Sequence, residues 1–118
     1  MQKNETEILL KGIITAIEEK KGENIAALNL TKIENAVAKY FVICSANSKT
    51  HSNTLAAFIG DFVRENLKEK PWQVEGFENS EWILLDYVDI VVHIFLPEIR
   101  EFYRLEQLWA DAEIMPNT

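Results

Sequence analysis

The most informative segment of this chain is Trp82-Ile-Leu-Leu-Asp-Tyr-Val-Asp-Ile-Val-Val-His-Ile-Phe95. It consists of two apolar runs, 82–85 and 90–96, separated by a short segment with two carboxylates. Both runs have the length of a strand and are rich in β-branched and aromatic residues. The stretch therefore predicts a β-hairpin.

The position of the turn predicts which side chains share a face of this hairpin. A turn centred on residues 87 and 88 would place Trp82 opposite His93 and Asp86 opposite Asp89, with Leu84 on the same face. The other face would hold only aliphatic side chains, so we expect it to pack on the core. A slip of one residue would exchange the two faces. The two carboxylates could also simply point into water from a solvated turn, and this alternative stays open.

The composition of the turn is unusual for a tight hairpin. A primed two-residue turn needs positive φ values, which favour Gly or Asn, whereas this chain has the β-branched Val88. We therefore expect a type I turn or a longer loop.

The composition of the whole chain is that of an ordinary globular domain. Its 118 residues are enough for one domain with a hydrophobic core. No apolar run approaches the roughly 20 residues that span a bilayer, and the N-terminus does not resemble a signal peptide. The single cysteine, Cys44, excludes an intrachain disulfide and is typical of a reducing compartment. We expect a cytoplasmic protein.

The net charge of −7 bears on the choice of partner. Nucleic-acid binding depends on Lys and Arg side chains that neutralise phosphates, so direct nucleic-acid readout is not expected. A ribonucleoprotein partner would more naturally be contacted through one of its basic proteins. The acidic balance is also explained by solubility alone.

Hydrophobic periodicity and capping signals predict the remaining elements. We expect an α+β domain over 1–112 with a mixed sheet of about five strands packed against helices, followed by a tail at 113–118. The predicted elements are a helix from Asn4 to Gly22, strands at 25–30 and 40–44, a helix capped by Ser48 or Thr50, a strand at 71–75, the hairpin, and one last helix at 97–112.

The sequence offers little that suggests catalysis. Its two histidines, His51 and His93, have no Cys or paired carboxylate at metal-ligand spacing, so no metal is expected. Cys44 ends an apolar strand and is more typical of a buried thiol than of a nucleophile. The hydroxyl-rich residues 45–48 could hold an anion at a helix N-terminus, but capping explains them as well and is favoured. We expect no cofactor and no enzymatic activity.

Several segments combine into a pattern that covers nearly the whole chain. They are Tyr40-Phe-Val-Ile-Cys-Ser45, His51, Trp82-Ile-Leu-Leu-Asp-Tyr87, Asp89, Val91-Val-His-Ile-Phe95, Arg100, Phe102-Tyr103, Leu105-Glu106 and Leu108-Trp-Ala-Asp-Ala112. Together they resemble the ribosomal silencing factor family, also called RsfS or Iojap. Three positions depart from the usual pattern of that family, which has Gly at Val88 and Ala46 and Asp at Lys39.

The resemblance implies a fold related to nucleotidyltransferases, without their catalytic Gly-Ser turn and Asp-x-Asp strand. It also implies binding to the large ribosomal subunit through ribosomal protein uL14, which would block subunit association and repress translation under nutrient limitation. Two alternatives remain. One is a nucleotidyltransferase-like enzyme or nucleotide-binding relic, and the other is an interaction module with a different partner. The interaction module would form a homodimer through the exposed hairpin face, and a homodimer need not exclude binding to the large subunit.

The polar hairpin face is the predicted docking surface. We expect Trp82 to be its apolar anchor, with the two aspartates meeting basic side chains of the partner. Two residues of the last helix would form a polar rim. The residues predicted to bind the partner are Trp82, Leu84, Asp86, Asp89, His93, Arg100 and Tyr103.

Overall fold

The computed structural model describes residues 4–115, which form four helices and six strands. No helix in this range is long and apolar enough to cross a lipid bilayer. The elements are α1 (Asn4–Glu19), β1 (Glu23–Asn29), β2 (Tyr40–Ser45), α2 (Lys49–Leu67), β3 (Gln73–Glu75), β4 (Trp82–Asp86), β5 (Ile90–Phe95), α3 (Pro97–Tyr103), α4 (Leu105–Leu108) and β6 (Glu113–Met115).

The six strands form one mixed sheet in the order β3-β4-β5-β2-β1-β6. The central neighbours β2 and β5 are parallel, and every other pair is antiparallel. The predicted α+β domain with a mixed sheet is therefore confirmed. The segment predicted as a tail begins with a sixth strand, because β6 pairs with the edge of β1. Residues 116–118 of that segment lie outside the described residues.

One face of the sheet is covered by α1 and α2, and this layer is the main core. The apolar residues of both helices recur at helical spacing and are buried there, as their periodicity predicts. Ser48 is the N-cap of α2, since its side chain accepts a hydrogen bond from the backbone N–H of His51 at 3.0 Å. Cys44 is fully buried in this layer, and burial raises the pKa of its thiol to about 12.

The hairpin has the predicted faces but a different register. Trp82 lies opposite Phe95 and Leu84 opposite His93, so β5 is displaced by two residues from the predicted pairing. A displacement of two keeps every side chain on its face, because side chains alternate with a period of two. The aliphatic face does pack on the core, through Ile83, Leu85, Ile90 and Val92.

The turn is tighter than predicted. The Tyr87 N–H donates to the carbonyl of Ile90 at 2.8 Å, and the Asp89 N–H donates to the carbonyl of Tyr87 at 2.9 Å. Val88, at the tip, has a φ of 75°. The expected type I or longer turn is therefore wrong, and a β-branched residue occupies the left-handed region that favours glycine.

The second face of the sheet is covered as well, although only by short elements. Partly buried side chains from the 30–39 connection and from α3, α4 and the residues after them pack on it. The single last helix predicted at 97–112 is broken at Arg104, which has a φ of 51°. The break directs Leu105 and Trp109 onto the sheet and leaves Phe102 outside.

Candidate partner-binding surface

Trp82 is the centre of an aromatic cluster on the second sheet face. Its indole Nε1 donates a hydrogen bond to His93 Nδ1 at 3.1 Å. Its ring centroid lies 4.8 Å from that of Phe95 on β5 and 4.8 Å from that of Tyr103 on α3. Trp82 is therefore partly buried and fixed in orientation, with only part of its ring accessible.

His93 is an internal member of this cluster. It is only 4% exposed, and its ring lies edge-on to Phe41 with the centroids 4.6 Å apart. Because Nδ1 accepts the hydrogen bond from Trp82, the ring hydrogen is on Nε2, which has no partner among residues 4–115. Burial lowers the pKa of His93 to about 4, so the imidazole is neutral at pH 7. The prediction that His93 lies on an accessible face is wrong, because the aromatic rings around it exclude solvent.

The accessible aromatic groups lie on α3. Tyr103 is 49% exposed and Phe102 is 76% exposed, with their ring centroids 5.0 Å apart. Phe102 is not among the residues predicted from the sequence to bind the partner. A signal was present, since adjacent aromatic residues in a helix point about 100° apart and cannot share one narrow face.

Carboxylates border the accessible part of this face at the β3–β4 edge. Leu84 is partly buried, and its cross-strand neighbour on β3 is Glu75. Asp86 follows on the same face of β4, and its Oδ1 accepts a hydrogen bond from the Val88 N–H at 2.8 Å. The edge therefore combines an aromatic and aliphatic centre with two carboxylates.

Asp89 does not belong to this carboxylate-lined edge. Its Oδ2 accepts a hydrogen bond from Thr6 Oγ1 of α1 at 3.2 Å and lies 3.7 Å from Lys39 Nζ. The predicted placement of Asp86 opposite Asp89 is wrong, since Asp86 pairs with Val91. Lys39, one of the three departures from the family pattern, is the cationic partner of Asp89. The pair is half exposed, so its contribution to stability is small.

Arg100 is also internal rather than part of a polar rim. Its Nη1 donates to Ser45 Oγ at 2.8 Å, while Nε and Nη2 donate to the two oxygens of Glu106 at 3.2 and 2.7 Å. Only 14% of the Arg100 side chain is exposed. Its donors are therefore directed into the protein.

A crevice of about 550 Å³ opens beside this cluster, at the carboxyl ends of β2 and β5. Its two guanidinium groups already have carboxylate partners, Arg100 with Glu106 and Arg104 with Glu101 at 2.7 Å. Both guanidinium groups are thus already paired with a carboxylate, so the crevice does not favour the nucleotide-binding alternative. Across residues 4–115, no group of three or more His, Cys, Asp or Glu side chains could hold a metal ion.

The comparison with protein families shows which family this fold belongs to. The family model described as "Ribosomal silencing factor during starvation" matches residues 3–118. The chain belongs to the ribosomal silencing factor family. The resemblance seen in the sequence is thereby confirmed, and the general role of the family is regulatory.

Relatives of known sequence or structure agree with this assignment to the ribosomal silencing factors. The chain is 39% identical to ribosomal silencing factor RsfS of Bacillus subtilis over 107 residues, which are 90% of this chain and 88% of that relative. A crystal structure of a protein from Chromobacterium violaceum is similar with a TM-score of 0.83 and 30% identity, covering 88% of this chain and 85% of the other. A mouse relative, 26% identical over 82% of this chain and 43% of its own length, is named mitochondrial assembly of ribosomal large subunit protein 1.

Proposed function

We propose that this protein binds the large ribosomal subunit through ribosomal protein uL14 and prevents the small subunit from joining, so that translation is repressed when nutrients are limiting. Membership of the ribosomal silencing factor family supports this role in general. The name of the mouse relative supports the choice of the large subunit. Such an activity requires only that the protein cover one surface of the large subunit, so the proposal includes no catalytic step. We also propose a cytoplasmic location.

The observation that best supports a protein partner is the accessible aromatic surface edged with carboxylates. We call it the docking surface and define it as Trp82, Leu84, Asp86, Phe102 and Tyr103. Interface centres are rich in aromatic residues that are held in place before binding. Trp82 is held in this way by its bond to His93 and by the ring of Tyr103. A rigid centre of this kind loses little conformational freedom when a partner binds.

The charge of the protein supports a basic partner. The chain carries a net charge of −7, and Asp86 lies at the edge of the docking surface. Complementary charge speeds association and fixes the orientation of the complex, whereas direct contact with RNA phosphates would be repulsive. A basic ribosomal protein therefore fits this surface better than ribosomal RNA does.

The test is co-sedimentation of the protein with isolated large and small subunits, followed by a subunit-joining assay. The parent protein should sediment with large subunits only and should reduce joining. The double variant Phe102→Ala and Tyr103→Ala should lose both effects. Trp72→Ala is the control for loss of an exposed aromatic side chain: Trp72 is 74% exposed, and its contact with Asp86 is a backbone hydrogen bond at 2.7 Å that the substitution keeps. Equal binding to both subunits, or full inhibition of joining by the double variant, would contradict the proposal.

A further inference from the structure

The exposed aromatic residues lie on a segment that has little packing of its own. We call this segment, which consists of α3, Arg104 and α4, the elbow. Its two helices have seven and four residues, and neither contains a fully buried residue. Helices this short are not stable in isolation. The shape of the elbow must therefore depend on tertiary contacts.

One polar cluster joins the elbow to the sheet. The guanidinium of Arg100 on α3 forms a two-point contact with the carboxylate of Glu106 on α4 and a hydrogen bond to Ser45 at the end of β2. The Ser45 side chain is buried, with the residue 2% exposed. Two-point Arg–carboxylate contacts fix orientation as well as distance. This set of bonds, the Arg100–Glu106 clamp, thus fixes three elements relative to one another.

The position of the clamp relates it directly to the docking surface. Ser45 and Trp82 are both cross-strand neighbours of Phe95, one on each side of β5. The Arg100–Ser45 bond attaches α3 on one side of this strand, and the contact between Tyr103 and Trp82 attaches it on the other. The backbone N–H of Arg104, where the helix breaks, donates to the Arg100 carbonyl at 2.8 Å, so the last helical hydrogen bond of α3 ends on the clamp residue.

We propose that Arg100 and Glu106 are positioning residues for partner binding. They set the angle between α3 and α4, hold Tyr103 against Trp82, and do not contact the partner. This inference rests on the proposed function, because it assigns these residues to the docking surface of the same protein. It replaces the predicted role of Arg100 as a polar contact at the rim.

The experiment compares two Arg–Glu pairs of the same elbow. Glu106→Ala removes the clamp, whereas Glu101→Ala removes the pair with Arg104, which lies within one helical turn and is largely exposed. We expect Glu106→Ala to weaken large-subunit binding about tenfold and to speed amide hydrogen exchange in residues 97–108, with exchange in α2 unchanged. Glu101→Ala should change binding less than about twofold. Glu106→Gln replaces Glu106→Ala if the latter does not fold.

A charge exchange separates positioning from direct contact. The double variant Arg100→Glu and Glu106→Arg restores the ion pair in reverse, so binding should recover relative to either single change. If Arg100 touched the partner, the exchange would not restore binding, and the inference would be overturned. Unchanged amide hydrogen exchange at 97–108 in the Glu106 variant would also overturn the inference, and this measurement does not involve ribosomes. Failure of the parent protein to bind large subunits would instead refute the proposed function, and this inference with it.

Discussion

At the scale of single residues, Val88 carries the clearest backbone strain. Its φ of 75° places a β-branched side chain where the left-handed conformation is unfavourable by about 1–2 kcal/mol. Glycine avoids this strain, but it also makes the unfolded chain more flexible, and this offsets about 0.5–1 kcal/mol of the stability gained. We therefore expect Val88→Gly to increase the free energy of unfolding, by up to about 1 kcal/mol.

Urea unfolding measures this change, and Val37 provides the control. Val37 is also strongly exposed but is not among the residues with positive φ. Val37→Gly should therefore lower stability or leave it unchanged. A Val88→Gly protein that is less stable than the parent would show that the valine side chain stabilises the turn.

His93 gives the protein a specific dependence of stability on pH. Burial lowers its pKa from 6.5 to about 4 in the folded protein. Between these values the unfolded chain binds a proton that the folded protein does not, so the free energy of unfolding falls as the pH is lowered from about 6.5 to 4. The full loss from this group is roughly 3 kcal/mol, given 1.36 kcal/mol per pKa unit.

The His93 contribution can be isolated by comparison with His93→Asn, whose side-chain oxygen can still accept from the Trp82 indole. Urea unfolding at pH 7, 6, 5 and 4 gives the difference between the two proteins, in which other titrating groups cancel. We expect the variant to be less stable at pH 7 and the gap to close towards pH 4. A gap that stays constant over this range would mean that His93 does not titrate abnormally.

At the scale of elements, the sequence predicts which face of a strand is buried better than it predicts the geometry of a turn or a break in a helix. Strand alternation assigned Ile83 and Leu85 to the core correctly even though the register was displaced by two. The turn was mispredicted because contacts far along the chain help to fix it. The Asp89 carbonyl accepts from the N–H groups of Lys39 and Tyr40, and its carboxylate accepts from Thr6.

The break in the last helix has a similar cause. Arg104 has no helix-breaking tendency in the sequence, and the bond that fixes the elbow joins Arg100 to Ser45, which is 55 positions earlier. Periodicity likewise predicted that His93 shared a face with Trp82 but not that other aromatic residues would cover it. Local patterns report which side of an element is apolar, and they do not report what packs on it.

The core face of β5 provides a prediction at this scale. Ile90 is fully buried against the α1–α2 layer, so Ile90→Ala should lower the free energy of unfolding by about 2–5 kcal/mol. Ile114→Ala on the edge strand β6 is the control, since Ile114 is 69% exposed. Thermal unfolding followed by circular dichroism measures both. Equal melting temperatures for the two variants would show that the Ile90 site is not tightly packed.

At the scale of the whole molecule, the two layers on the sheet differ in thickness. One face is covered by helices of 16 and 19 residues, whereas the elbow and a connecting loop cover the other. The thick layer buries the main core, and the thin layer leaves aromatic groups at the surface. If the proposed docking surface binds the partner, most of the core lies on the opposite face from it, so that exposed residues of the docking surface such as Phe102 can be altered with little effect on the main core.

This separation, together with the acidic charge of the molecule, gives a prediction for salt dependence. Asp86→Asn removes one charge from the docking surface but keeps an oxygen that can accept from the Val88 N–H. We expect the variant to bind large subunits more weakly than the parent at low salt. The difference should shrink above about 0.15 M salt, where exposed charges more than about 8 Å apart are screened.

The same substitution at Asp61 is the control for this experiment. Asp61 is exposed on α2, in the layer on the opposite face, and forms an ion pair with its neighbour Arg64 at 3.1 Å. Asp61→Asn should bind like the parent at both ionic strengths if charge acts locally. If the two variants lose the same affinity at low salt, the attraction depends on the net charge of −7 rather than on the docking surface. A selective effect of Asp86 would instead assign the contact to this edge of the sheet, because only a charge close to basic side chains of the partner contributes more than its share of the net charge.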